Sequence, residues 1–190
     1  MSLQAFLGVD TLQGKNGSVP VSSIEGKTVL LYFSAHWCPP CKQFTPKLCQ
    51  FYDRLKAAKT HDFEVIFISG DKDQAQFDGY YAEMPFLAMP FEYRAEKNKL
   101  NQRLGVSGIP TLAAIDKDGN VITTKARNNV MADPQGKKFP WTPKTIEQIL
   151  AAGDIMLKDG KKITVAELKA LDGFALYFSA HWCGPCRAVT

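Results

Sequence analysis

Thr28-Val29-Leu30-Leu31-Tyr32-Phe33-Ser34-Ala35 runs without a charge into His36-Trp37-Cys38-Pro39-Pro40-Cys41. An unbroken apolar run rich in β-formers predicts a central strand buried on both faces. After Pro40 the period changes: Phe44, Leu48, Phe51, Tyr52 and Leu55 recur at three and four. That spacing predicts a helix, with Pro46 inside it expected to kink it. Cys38 therefore ends a strand and opens a helix. A thiolate is the reactive form of cysteine, and the unpaired N–H groups and positive dipole end of a helix favour it. Cys38 is expected to be the accessible nucleophile, and Cys41, one turn further in, the shielded resolving thiol.

Working outward, Phe63 to Ser69 reads as a second buried strand, Gln74 to Ala82 as a helix, and Asn98 to Leu104 as a short helix. Pro110 to Ile115 reads as a third strand. Asp118-Gly119 signals a hairpin returning through Val121 to Thr124. Thr142 is placed to cap a last helix carrying Ile146, Ile149 and Leu150, with Pro143 at its first position. The order β-α-β-α-(α)-β-β-α predicts an α/β fold, a mixed central sheet with helices on both faces.

The octapeptide Leu31 to Cys38 recurs word for word as Leu176 to Cys183, opening a second pair, Cys183-Gly184-Pro185-Cys186. The repeat divides the chain into residues 1–152, a complete domain, and 153–190, the start of a second domain of the same kind. The tail retraces the opening: a polar stretch, a helical Val165 to Leu171, a strand Ala175 to Ser179, and the motif. A segment under about 40 residues rarely folds alone, so the tail is expected to be a truncated repeat, its motif (Cys183, Cys186) non-functional. Its bare strand would be disordered, or would pair or swap with another chain through residues 175–183.

A net charge of +4, with short scattered basic pairs, gives no basic stripe with interleaved aromatics, so no nucleic-acid partner is expected. No apolar run is long enough for a membrane span, and Met1 to Asp10 lacks the pattern of an export signal. Four of the five cysteines lie in two Cys-x-x-Cys pairs, which in a chain without an export signal read as redox or metal sites. A zinc site would need both pairs, far apart and each with proline in its turn; redox chemistry is the stronger reading, with no metal and no cofactor. A purely structural disulfide is the third alternative. Cys49 reads as an inert core thiol. His36 reads as a surface histidine or as an imidazolium that favours the Cys38 thiolate. Asp116 to Asn120 opens like a calcium loop, but Arg127 stands where the closing glutamate belongs, so a turn is expected.

Trp37-Cys38-Pro39-Pro40-Cys41, followed by Ile109-Pro110-Thr111, resembles the thioredoxin superfamily. Tyr32 to Cys41, Met84 to Phe91 and Phe139-Pro140-Trp141 resemble its nucleoredoxin and tryparedoxin branch. The resemblance implies a thioredoxin-like fold, protein-disulfide reductase activity, and a cis Pro110 beside the thiols. Trp37, Pro39, Pro40, Ile109 and Pro110 would form the substrate-binding surface. It also implies disulfide-containing protein substrates, a thiol or flavoenzyme reductant, and a cytoplasmic or also nuclear location. Thioredoxins place a buried aspartate where this chain has Tyr32, which leaves the Tyr32 hydroxyl or a water to take the Cys41 proton. Tryparedoxins typically have Trp-Asp-Glu where this chain has Gly70-Asp71-Lys72, though Arg127 is kept, so the nucleoredoxin-like reading is preferred. Two alternatives stand beside the reductase: a redox-gated binding module, and an electron donor to peroxiredoxins.

Overall fold

The computed structural model describes residues 2–151, 153, 155–173, 175, 177 and 179–189. They fall into two compact units, Met1–Thr142 and Pro143–Thr190. The first unit runs α1 (Leu3–Leu7), β1 (Thr11–Gly14), β2 (Gly17–Pro20), a 3-10 turn (Val21–Ile24), β3 (Thr28–Ser34), α2 (Pro39–Ala58) and β4 (Phe63–Ser69). It continues with α3 (Gln74–Tyr81), β5 (Leu87–Ala88), α4 (Arg94–Arg103), β6 (Thr111–Ile115), β7 (Val121–Thr123) and α5 (Ala126–Ala132). One sheet of seven strands has the order β2-β1-β5-β4-β3-β6-β7. β3 is parallel to β4 and antiparallel to β6, so the sheet is mixed, as expected.

Side chains alternate across a strand, so each central strand serves two cores. Leu30, Tyr32, Val65, Phe67, Leu112 and Ala114 face α2, α3 and α5, meeting Phe44, Leu48, Phe51, Phe77, Tyr80 and Val130. Val29, Leu31, Phe33, Ile66, Ile68, Ala113 and Ile115 face α1, the 3-10 turn and α4, meeting Phe6, Leu7, Val21, Ile24, Leu100 and Leu104. This two-sided burial is why β3 and β4 read as continuous apolar runs.

Several elements were not foreseen. The β1–β2 hairpin turns at Lys15-Asn16, closed by the Gly14–Gly17 pair in which Gly17 has φ +119°, and Leu12 is buried. Helix α1 is held by Ser2, whose hydroxyl accepts from the Ala5 N–H. Helix α4 starts at Arg94, four residues before the expected Asn98, because its first turn is polar and carries no apolar period.

The last expected helix exists as α6 (Ile146–Ala151), but Thr142 does not cap it. Thr145 does: its hydroxyl accepts from the Gln148 N–H, and the Gln148 side chain accepts from the Thr145 N–H. This reciprocal pair fixes the start three residues later than expected. Helix α6 opens the second unit, which continues with the hairpin β8 (Ile155–Met156) and β9 (Lys162–Ile163), α7 (Val165–Lys169) and α8 (Gly184–Val189). Thr164 and Glu167 form a capping box on α7. The strand expected over 175–179, and any pairing or swap through it, depends on residues 176 and 178, which lie outside the described residues.

On α2, Cys49 is half-buried, its sulfur 3.9 Å from the Glu83 carbonyl oxygen. Burial, and then the nearby Asp53 carboxylate, push its thiol up to about 11. With the other four cysteines in disulfides, alkylation of the oxidised protein should reach Cys49 alone. It should stay slow at neutral pH and quicken with the thiolate up to about pH 11; rapid labelling at pH 7 would contradict this environment. Phe67 packs between the rings of Tyr32, Phe77 and Tyr80. Phe67→Ala should cost about 3–5 kcal/mol, measured by denaturant unfolding.

Candidate active site

β3 delivers the chain to the end of the sheet at its C-terminus, and Ala35 to Trp37 turn it into α2. Cys38 is the N-cap of α2, with φ −98° and ψ 108°. The N–H groups of Cys41 and Lys42 both donate to the Cys38 carbonyl at 3.1 Å, and the Cys41 N–H also lies 3.3 Å from Cys38 Sγ. Pro39 and Pro40 occupy the first turn. Proline has no N–H, so the pair removes two of the donors that a helix start offers a sulfur. The Cys41 N–H is the first one left, and the general expectation of several donors narrows to it.

Cys38 and Cys41 form a disulfide with Cα atoms 5.2 Å apart. In this oxidised state both are enclosed: Cys38 is 4% exposed and Cys41 fully buried. The expected ranking holds, but Cys38 is less open than its assigned role suggested, because Ile109 packs over the pair. The Ile109-Pro110 peptide is cis, and the Ile109 carbonyl oxygen sits 3.8 Å from Cys38 Sγ. Ile109 and Pro110 are half-buried and Pro39 and Pro40 are exposed. Trp37 is 51% exposed, its indole N–H donating to the Gly70 carbonyl at 3.0 Å. All seven residues singled out around the first motif therefore meet at one face.

Two groups of residues support this face, and beyond His36 and Tyr32 the sequence did not point to their members. Asp71, buried at the end of β4, accepts from the His36 N–H at 2.6 Å and from the Ser69 hydroxyl at 2.8 Å. The Arg94 guanidinium donates to the carbonyls of Ser69 and Asp71. The active-site loop is thereby tied to the neighbouring strand. His36 lays its ring 5.6 Å from that of Tyr80 and is half-buried, so it is not the simple surface histidine considered above.

The second group is a buried cluster of four hydroxyls. Tyr32 shares a hydrogen bond of 2.8 Å with Thr45, accepts from Ser34 at 2.9 Å, and donates to the Cys41 carbonyl at 3.4 Å. Tyr80 bonds both Ser34 and Thr45, and Thr45 also donates to the Cys41 carbonyl at 3.0 Å. Burial, reinforced by Tyr80, pushes the Tyr32 phenol far above its ordinary value. Tyr32 is then a neutral hydrogen-bonding group at physiological pH, unlike the carboxylate it replaces. The Thr45 position, one turn beyond Cys41, was a legible signal; Tyr80 on α3 was not.

The second motif repeats the local geometry. Cys183 and Cys186 form a disulfide with Cα atoms 5.2 Å apart, and the Tyr177 hydroxyl donates to the Cys186 carbonyl at 3.1 Å. Its surroundings differ: both cysteines are half-buried and Trp182 is 87% exposed. The described part of the second unit contains no cis X–Pro bond. Among the described residues, no cluster of three or more His, Cys, Asp or Glu is placed to hold a metal. No described helix is long and apolar enough to cross a membrane.

Comparison with known proteins places this geometry. A family model described as thioredoxin-like matches residues 26–121. A tryparedoxin of Trypanosoma brucei brucei is 48% identical over 135 residues, covering 70% of this chain and 92% of that one. A nucleoredoxin of Mus musculus is 40% identical over 149 residues, covering 78% of this chain and only 34% of its own length. A probable nucleoredoxin of Arabidopsis thaliana is 34% identical over 208 residues, covering the whole of this chain and 52% of its own. The chain thus spans about a quarter to a half of the length of the nucleoredoxins it matches. Among solved structures, a tryparedoxin II complexed with glutathionylspermidine superposes with a TM-score of 0.69 at 44% identity, covering 74% of this chain and 99% of that one. The chain belongs to the thioredoxin-like family, in the branch of the tryparedoxins and nucleoredoxins, and is a thiol–disulfide oxidoreductase of that family.

Proposed function

We propose that this chain reduces protein disulfides through Cys38 and Cys41. The observation that carries the reading is the disulfide at the α2 N-terminus, flanked by exposed Trp37 and by the carbonyl of Ile109. The Cys38 thiolate attacks one sulfur of a substrate disulfide and expels the other as a thiolate, which takes a proton. The Cys41 thiol loses its proton and attacks Cys38 Sγ, expelling the second substrate thiolate and leaving Cys38–Cys41 oxidised. Two electrons pass from the dithiol to the substrate. A thiol or a flavoenzyme returns them; the neighbouring tryparedoxin's complex with glutathionylspermidine favours a small thiol. Trp37, Pro39, Pro40, Ile109 and Pro110 frame the substrate. The reading places the protein in the cytoplasm, with the nucleus as a second location.

Residues 153–190 belong, in this reading, to the opening of a second thioredoxin-like domain. The repeated octapeptide supports this, as does the element sequence of the second unit: a hairpin, a helical turn, then a cysteine pair opening a helix. The full-length match to the Arabidopsis relative agrees with it. The half-buried Cys183–Cys186 pair takes no part in turnover by this chain.

Insulin reduction tests the reading. Cys38→Ser should abolish it, Cys41→Ser should accumulate mixed disulfides, and loss of both Cys183 and Cys186 should leave it intact; full activity in Cys38→Ser would contradict the mechanism. An exchange function would show turnover with a reductase system, whereas a binding module would hold a partner even as Cys38→Ser, and a peroxiredoxin assay tests electron donation. Tyr32→Phe removes hydrogen bonds to Thr45 and Ser34, which both keep Tyr80 as a partner, and should cost about 0.5–1.5 kcal/mol of stability. Because the Tyr32 phenol stays neutral, the pH profile of turnover should not move. A shifted profile would identify Tyr32 as the proton acceptor.

A further inference from the structure

A cavity of about 270 Å³ opens beside Trp37 and Ile109, the residues that flank the disulfide, between the ends of β3 and β4, helix α4 and the loop leading to Pro110. Phe33, Ile68, Val106 and Ile109 give it apolar walls, and Trp37 forms one lip. Gly70 contributes only backbone; a Cβ there would lie 3.7 Å from Ile109 Cδ1, so its absence keeps the mouth open on that side. Lys97 and Asn101 lie one turn apart on α4, and both line the cavity.

Lys97 is the informative residue. It is half-buried, and among the described residues it makes no ion pair. Burial, and then the Arg94 guanidinium, lower its pKa from the ordinary lysine value, with Asp71 opposing. The Asp71 carboxylate offsets this only in part. Arg94 is committed to the Ser69 and Asp71 carbonyls, and the Asp71 carboxylate accepts from His36 and Ser69. Beside it, Asn101 Oδ1 is buried without a hydrogen-bond partner. A partly desolvated cation with no ion pair of its own, lining an open cavity, is completed by a group that brings a negative charge.

We propose that this cavity is a specificity subsite, in which Lys97 selects disulfide substrates carrying an acidic side chain next to the reacting cysteine. The cavity shares Trp37 and Ile109 with the reaction centre, and the Ile109 carbonyl is 3.8 Å from Cys38 Sγ. A residue adjacent to the attacked sulfur can therefore reach it. The substrate carboxylate faces Lys97. Lys97 is a positioning residue: it touches the substrate's side chain and takes no part in thiol exchange. The inference rests on the disulfide-reductase reading above.

Single-turnover oxidation of the reduced full chain separates the two. The substrates are synthetic disulfide peptides, identical except for Glu, Gln or Lys beside the cysteine, each rate divided by its rate with dithiothreitol to remove intrinsic reactivity. The wild type should prefer Glu over Lys by about fivefold, the equivalent of one partly exposed ion pair. Lys97→Arg should keep the preference, Lys97→Gln should erase it, and Lys97→Glu should reverse it. Rates with hydroxyethyl disulfide, which is uncharged, should not change. A wild type that reduces Glu and Lys peptides equally, or Lys97 variants that slow every substrate alike, would overturn the subsite while leaving the reductase in place. A wild type that oxidises with none of the peptides would overturn the reductase reading, and the subsite with it.

Discussion

The site depends on one junction, where Cys38 is at once the end of a buried strand and the N-cap of a twenty-residue helix. The strand cannot shift, because every residue from Val29 to Ser34 is buried between neighbours on both sides. The helix cannot rotate, because Phe44, Leu48, Phe51 and Leu55 are packed against the sheet. The sulfur is therefore placed by the core, and the Cys41 N–H meets it at 3.3 Å. Two prolines in the first turn leave few other donors, so the dipole of the long helix and this single N–H carry the stabilisation of a thiolate.

Beneath the junction the usual logic of a buried charge is replaced by a neutral one. An isolated carboxylate under the disulfide would have to be desolvated. Tyr32, Ser34, Thr45 and Tyr80 instead satisfy one another and hold the Cys41 carbonyl. The buried carboxylate next to the active-site loop, Asp71, sits to one side and accepts from the His36 N–H and the Ser69 hydroxyl. Its work is mechanical: it ties the loop before Cys38 to the end of β4.

What was legible in the sequence follows from burial. β3 and β4 are packed on both faces, so their composition alone announces them, and α2 shows its period through four buried side chains. The β1–β2 hairpin and α5 are short, with one buried residue in the hairpin and two in α5. Their positions are decided by contacts with distant segments, although Asn16-Gly17 was a turn signal in plain view. The cysteines, the adjoining tryptophan and prolines, and Ile109-Pro110 were all found because local spacing or family resemblance marks them. Tyr80, Asp71 and Lys97 were not, since nothing near them in sequence shows that α3, the end of β4 and α4 converge on Cys38.

The central claim is that the fold makes Cys38, and not Cys41 or Cys49, the reactive thiol. Reducing the protein, treating it with substoichiometric iodoacetamide near neutral pH and mapping the labelled peptides tests it directly. The account predicts that Cys38 is modified well ahead of Cys41 and Cys49. Labelling of Cys41 first, or of all three at equal rates, would contradict it.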